Sequence, residues 1–161
     1  MGIYEEMAIE KWPEFIKVTQ TIPRPRIEDL EKYLSAELGK HCSIRAGDRI
    51  AVTVGSRKID NVHTILQTTL DYLKKYGAKP FIISAMGSHG GACPEGQKDL
   101  LDSLGITAER FGVPVYYDTV WSQIGKTQSG TPVYFSKKAF EDCDGIVVVN
   151  RVKRHTNFRG P

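Results

Sequence analysis

Four short runs rich in β-branched and aromatic residues punctuate the chain, and long amphipathic or turn-rich stretches separate them. The runs are Arg49–Val54 (RIAVTV), Pro80–Met86 (PFIISAM), Val113–Tyr117 (VPVYY) and Gly145–Asn150 (GIVVVN). Apolar side chains fill nearly every position instead of alternating with polar ones, so these strands need cover on both faces. That is the mark of a parallel sheet. Between the first two runs, Ile59, Val62, Ile65, Leu66, Leu70, Leu73 and Tyr76 recur at helical spacing, and Gly77 ends the pattern. Between the second and third, Pro94 suits a first helical turn, Leu100, Leu101 and Leu104 supply an apolar face, and Gly105 closes it. A brief helix is expected at Lys137–Asp142. Strands joined by helical crossovers predict an α/β fold, a three-layer Rossmann-like domain with a mainly parallel sheet.

The remaining segments fit around that frame. Ile27, Leu30, Leu34 and Leu38 predict a helix capped by Gly39, and a possible strand at Phe15–Thr19 lies among Pro13, Pro23 and Pro25. Residues 1–46 are thus read as an irregular segment plus a helix packing on the domain, and 47–161 as the Rossmann-like domain. Pro132–Phe135 is extended, after a hairpin-like turn through Lys126–Gly130. Because the chain closes in a glycine-bearing loop just after a strand, it is expected to be the front portion of a longer protein, with a C-terminal domain absent. Charge narrows the partners: 22 basic against 19 acidic residues leave a net charge of +3, too weak for a nucleic-acid binder. No apolar run approaches the roughly 20 residues that span a bilayer. Three cysteines at no metal-like spacing point to a reducing, cytoplasmic setting.

Open parallel sheets bind ligands beyond the carboxyl ends of their strands, and three such loops here carry unusual residues. They are Gly55-Ser56-Arg57-Lys58, Gly87-Ser88-His89-Gly90-Gly91, and Arg151-Val152-Lys153-Arg154-His155-Thr156-Asn157. A parallel sheet opens all three on one edge, where Arg57, His89 and His155 converge. Arg57 suits two-pronged recognition of a carboxylate or phosphate. His89 stands among small neighbours that leave an imidazole open to a ligand. The cations around His155 lower its pKa and favour a neutral base. Plainer readings stand beside these: tight-turn geometry for the glycines, a solvated basic loop around His155, a surface role for Arg57. The glycine loop is neither GxGxxG nor a Walker motif. His63 reads as structural, His41 carries no argument, and Asp118 is a loop carboxylate with a weak claim. Cys93 with His89 gives two ligands, too few for zinc.

The ordered set Ala51–Arg57 (AVTVGSR), Ala85–Gly91 (AMGSHGG) and Asn150–Thr156 (NRVKRHT), with Ile124-Gly125 and Gly130–Val133 between, resembles the amino-terminal domain of the nickel-dependent lactate racemase family, over roughly residues 10–161. The resemblance implies an isomerase that inverts the hydroxyl-bearing carbon of a small 2-hydroxy acid. It also implies a nickel-pincer nucleotide cofactor that takes up a hydride reversibly. His89 and His155 match the family's two proton-exchanging histidines, and Arg57 matches the arginine that holds the substrate carboxylate. Ser56, Gly87 and Ser88 lie where the family's loops approach the cofactor, and no metal ligand is assigned in this chain. Two positions depart from the pattern: Val54 stands where racemases often have aspartate, and Arg154 where relatives often have proline. The cofactor-bearing lysine and the nickel histidine belong to later sequence, so this chain alone is expected to be inactive. Two rivals remain, a nucleotide- or anion-binding module without catalysis, and an assembly piece.

Overall fold

The computed structural model describes residues 14–23 and 25–151. Helix α1 (Leu30–His41) precedes strand β1 (Arg49–Val54), helix α2 (Val62–Lys75) and strand β2 (Lys79–Ser84). A 3-10 turn at His89–Ala92, helices α3 (Pro94–Ser103) and α4 (Ala108–Phe111), and the two-residue strand β3 (Val115–Tyr116) follow. Strands β4 (Trp121–Lys126) and β5 (Pro132–Ser136), helix α5 (Lys137–Asp142) and strand β6 (Gly145–Val148) complete the described order. The four-stranded sheet runs β3-β2-β1-β6 and every pairing in it is parallel. This is the α/β, Rossmann-like architecture that the alternation of runs and amphipathic stretches predicts.

Side chains leave a strand alternately to its two faces, and here each face has its own core. On one face Ile50, Val52 and Val54 pack with Leu66, Leu70 and Leu73 of α2 and with Leu101 of α3. On the other, Ala51, Phe81 and Ile83 meet Ala139 of α5. Fully burying one such aliphatic side chain contributes about 1.5–3 kcal/mol. The first face therefore carries most of the hydrophobic stabilisation.

Several expectations need correction. The helix expected from Ile59 begins at Val62, because Asn61 adopts a left-handed conformation at φ 54° and breaks the pattern. Helix α1 passes through Gly39 and ends at His41, where Lys40 and His41 lie in the last turn, favourable against its dipole. No strand forms at Phe15–Thr19; Phe15 is 93% exposed, and no partner strand lies beside it among the described residues. The run GIVVVN was expected to be buried. Instead β6 is an edge strand among the described residues, with Ile146 and Val148 exposed. Strand β4 was not anticipated, since WSQIGK is polar and exposed; it pairs with β5 as a separate antiparallel hairpin.

Asp118 ties that hairpin to α5. Its carboxylate accepts from the backbone N–H groups of Val120 and Lys138, both at 2.9 Å, and from the Ser136 hydroxyl. Burial pushes the carboxyl up, but those hydrogen bonds and the Lys138 charge outweigh it and hold Asp118 below its ordinary 3.8. A carboxyl depressed on folding stabilises above its unfolded pKa and stops doing so as pH falls through the folded one. Asp118→Asn is therefore expected to cost about 1 kcal/mol near pH 7, allowing for partial exposure. Thermal unfolding of the two proteins should converge as pH falls from the ordinary carboxyl range through the lowered folded pKa; a gap that does not change with pH would show that the charge of Asp118 contributes nothing.

Candidate functional site

The chain moves outward from β1 through β2 to β3, then returns to the opposite side of β1 as β6. The carboxyl ends of β1 and β6 thus meet where strand order reverses, the position at which open α/β sheets take ligands. Three loops are stitched together there. The Ala85 N–H donates to the Val54 carbonyl at 2.7 Å, and the Val149 N–H to the Thr53 hydroxyl at 3.1 Å. Arg151 Nη1 donates to the Lys58 carbonyl at 3.3 Å.

Between the loops lies a cleft of about 210 Å³. Ser56 and Arg57 line it from the loop after β1, Met86 and His89 from the loop after β2, and Asn150 and Arg151 from the segment after β6. The structure therefore brings Arg57, Ser56 and His89 together. Gly87 and Ser88 are exposed and do not line this cleft. His155 lies outside the described residues.

His89 Nδ1 is hydrogen-bonded to the Ser56 hydroxyl, a contact between residues 33 apart in sequence. This bond orients the ring and leaves Nε2 as the nitrogen available for proton exchange. With Nδ1–H donating to Ser56 Oγ, Nε2 is a free base. When Nε2 takes a proton, Nδ1–H keeps the same bond, because imidazolium donates from both nitrogens. The pair is thus suited to moving a proton without rearranging its support.

The loop bearing His89 is held by residues that carry no chemistry. Gly90, at φ 67°, lies against the first turn of α3. A Cβ on Gly96 would stand 2.0 Å from the Gly90 carbonyl oxygen, and one on Gly90 2.5 Å from the Gly96 carbonyl carbon. Gln97 is 1% exposed; it accepts from the Ser84 hydroxyl at 2.6 Å and donates to the Gly87 carbonyl at 3.3 Å. Sequence reasoning passed over Gln97, yet a signal existed. It falls on the same stripe as Leu100, Leu101 and Leu104, where a polar residue must find a buried partner.

The other candidates resolve into structure. His63 Nε2 donates to the Leu104 carbonyl at 2.7 Å and is half-buried. Cys93 donates to the Gly90 carbonyl at 3.4 Å. Among the described residues no group of three His, Cys, Asp or Glu side chains is placed to hold a metal ion.

A family model described as lactate racemase N-terminal domain matches residues 28–160. No curated protein matches the chain. Among solved structures, eIF2B delta from Chaetomium thermophilum is 20% identical at a TM-score of 0.30, covering 55% of this chain and 27% of that one. The tetrameric eIF2B-beta2-delta2 complex from C. thermophilum gives 21% identity and a TM-score of 0.29, covering 55% of this chain and 23% of that one. The chain therefore spans about a quarter of those chains, and likeness at such TM-scores carries neither fold nor function across.

Gly96→Ala separates propensity from packing. In an open helix the change would stabilise by about 1 kcal/mol. Here the added Cβ would stand 2.0 Å from the Gly90 carbonyl oxygen, so an overpacking loss of about 1–3 kcal/mol is expected. Denaturant unfolding, with the His89 ring signals as a local reporter, checks this; a stabilised mutant with unmoved ring signals would refute the close approach.

Proposed function

Because the chain belongs to the family of the lactate racemase N-terminal domain, we propose that it forms the substrate-holding front part of an enzyme that inverts the hydroxyl-bearing carbon of a 2-hydroxy acid. The observation that carries this reading is the meeting of Arg57 with the Ser56–His89 pair in one cleft at the switch point of the sheet. Arg57 would grip the substrate carboxylate through two parallel N–H···O bonds. The hydroxyl beside that carboxylate would then face His89 Nε2, which removes its proton. Ser56 holds the ring throughout. Inversion also needs a proton carrier for the opposite hand of the substrate, and the NRVKRHT motif gives that role to His155.

The family implies a nickel-pincer nucleotide, which when bound would supply reversible hydride acceptance at the hydroxyl-bearing carbon. The residues here fit its anionic portion, since Lys58 and Arg151 stand at the strand ends beside the substrate-holding Arg57. They do not fit the metal, as no donor set for it exists among the described residues. The part of this chain is therefore to bind, orient and exchange protons. A cytoplasmic location belongs to the same reading, supported by three free cysteines. No helix among the described residues is long and apolar enough to cross a membrane.

Titration of the chain with lactate, read by amide shifts of residues 55–57 and 85–89, tests the carboxylate grip. Arg57→Lys keeps the charge and loses the fork, so affinity should fall by about 1.5–3 kcal/mol, roughly 10- to 150-fold. Equal affinities would remove Arg57 from the site. In an enzyme carrying the complete active site, His89→Ala should lower turnover by about 10² to 10⁴ while Arg57-dependent binding persists. Full turnover in that variant would dismiss His89 as proton carrier, and binding without turnover in the wild type would favour a plain anion-binding module.

A further inference from the structure

We infer that the acid taken by this site carries a branched apolar tail larger than the methyl group of lactate; this rests on the reading of Arg57 as the carboxylate holder. The small cleft is not closed behind Arg57. A second cavity of about 610 Å³ adjoins it, and Gly55, Arg57, Ile59 and Arg151 line both. The two spaces differ in chemistry. The small one presents Ser56, His89 and Asn150. The large one is walled by Ile59, Val62, Leu104 and Ile106, contributed by the loop after β1, the start of α2 and the chain at and beyond the end of α3.

The polar groups in the larger cavity do not alter its apolar character. His63 also lines it, but its Nε2–H is engaged by the Leu104 carbonyl at 2.7 Å. Lys58 and Asp60 are exposed residues of opposite charge. Ile106 is 1% exposed and fixed in the first core, and Val62 and Leu104 pack against that core, so the wall is built rather than induced. A carboxylate on Arg57 with its hydroxyl toward His89 leaves, besides a hydrogen, one substituent of the central carbon to be placed. The larger cavity adjoins the same arginine and is where that substituent goes. A methyl group fills little of such a space, whereas a branched aliphatic chain covers the apolar wall. Each buried methylene is worth about a fourfold gain in affinity, from roughly 0.8 kcal/mol of transfer free energy.

The test uses the chain with isotope-labelled Ile, Leu and Val methyl groups, titrated separately with lactate, 2-hydroxy-4-methylpentanoate and adenosine monophosphate. The branched acid should bind about 10- to 50-fold more tightly than lactate and shift the methyl signals of Ile59, Val62, Leu104 and Ile106. Arg57→Lys should weaken both acids by a similar factor. Val62→Phe, which fills the cavity from its edge, should erase the difference between the acids. Val62→Ser provides the same comparison by reducing the apolar wall, should the larger side chain disturb folding. Equal Arg57-dependent affinities for the two acids would overturn the tail assignment and leave the proposed function standing. Binding of neither acid, or binding indifferent to Arg57, would overturn both. Adenosine monophosphate shifting the same methyl signals while the acids bind equally would give the cavity to a nucleotide instead.

Discussion

Parallel pairing of β1 on both of its sides is the constraint on which the rest of the molecule depends. Thr53 is level with Ile83 on one side and Val148 on the other, so three strands reach their carboxyl ends together. The loops that follow therefore leave from one edge, and residues as far apart in sequence as Ser56, His89 and Arg151 share a cleft. A one-residue slip in either pairing would turn every side chain of the slipped strand to the opposite face. Val52 and Ala51, both fully buried on opposite faces, make that slip costly. The site is thus placed by apolar burial that lies well below it.

Burial alone does not set the position of His89, which stands in a loop. That position comes from a second constraint, the contact of the Gly90 backbone with the first turn of α3 at Gly96. Two glycines facing one another let main chain approach main chain, and Gln97 then ties strand β2, loop and helix together through Ser84 and Gly87. A helix interior normally disfavours glycine by about 1 kcal/mol. Here that cost is offset by holding a potential proton carrier within reach of Ser56. Preorganisation of this kind matters because a catalytic group displaced by about an ångström can lose on the order of a hundredfold in rate.

Strands β1 and β2 were legible because burial on both faces writes itself into sequence as unbroken apolar runs. Arg49–Val54 begins and ends where its run does, and Lys137–Asp142 forms the short helix expected of it. Arg57 and His89 were legible as a pair for a related reason: parallel topology dictates that loops after neighbouring strands share an edge. What escaped depends on neighbours rather than on period. Strand β4 is held by pairing with β5, and its own residues are too polar to announce it. The exposure of Ile146 and Val148 depends on what lies beside β6, and nothing within GIVVVN encodes it. Asp118 read as an idle loop carboxylate because its partners Ser136 and Lys138 are 18 and 20 residues away.

Electrostatics adds a last step. Some exposed cations elsewhere on the surface have carboxylate partners: Lys40 with Glu37, Lys98 with Asp102, and Lys138 with Asp142. Arg57 and Arg151, both exposed, make no ion pair among the described residues. Surface pairs contribute only about 0–1 kcal/mol each, so leaving two guanidinium groups unpaired costs the fold little. A ligand gains more from the same vacancy. Under the proposed function, an incoming carboxylate meets arginine donors that no carboxylate among the described residues pairs with, at the edge where the sheet gathers its loops. The chain's net charge of +3 is too small to attract anions broadly. On the proposed reading, selectivity for a small acid arises from where these two charges stand, and salt should weaken the first encounter more than the seated, bidentate contact.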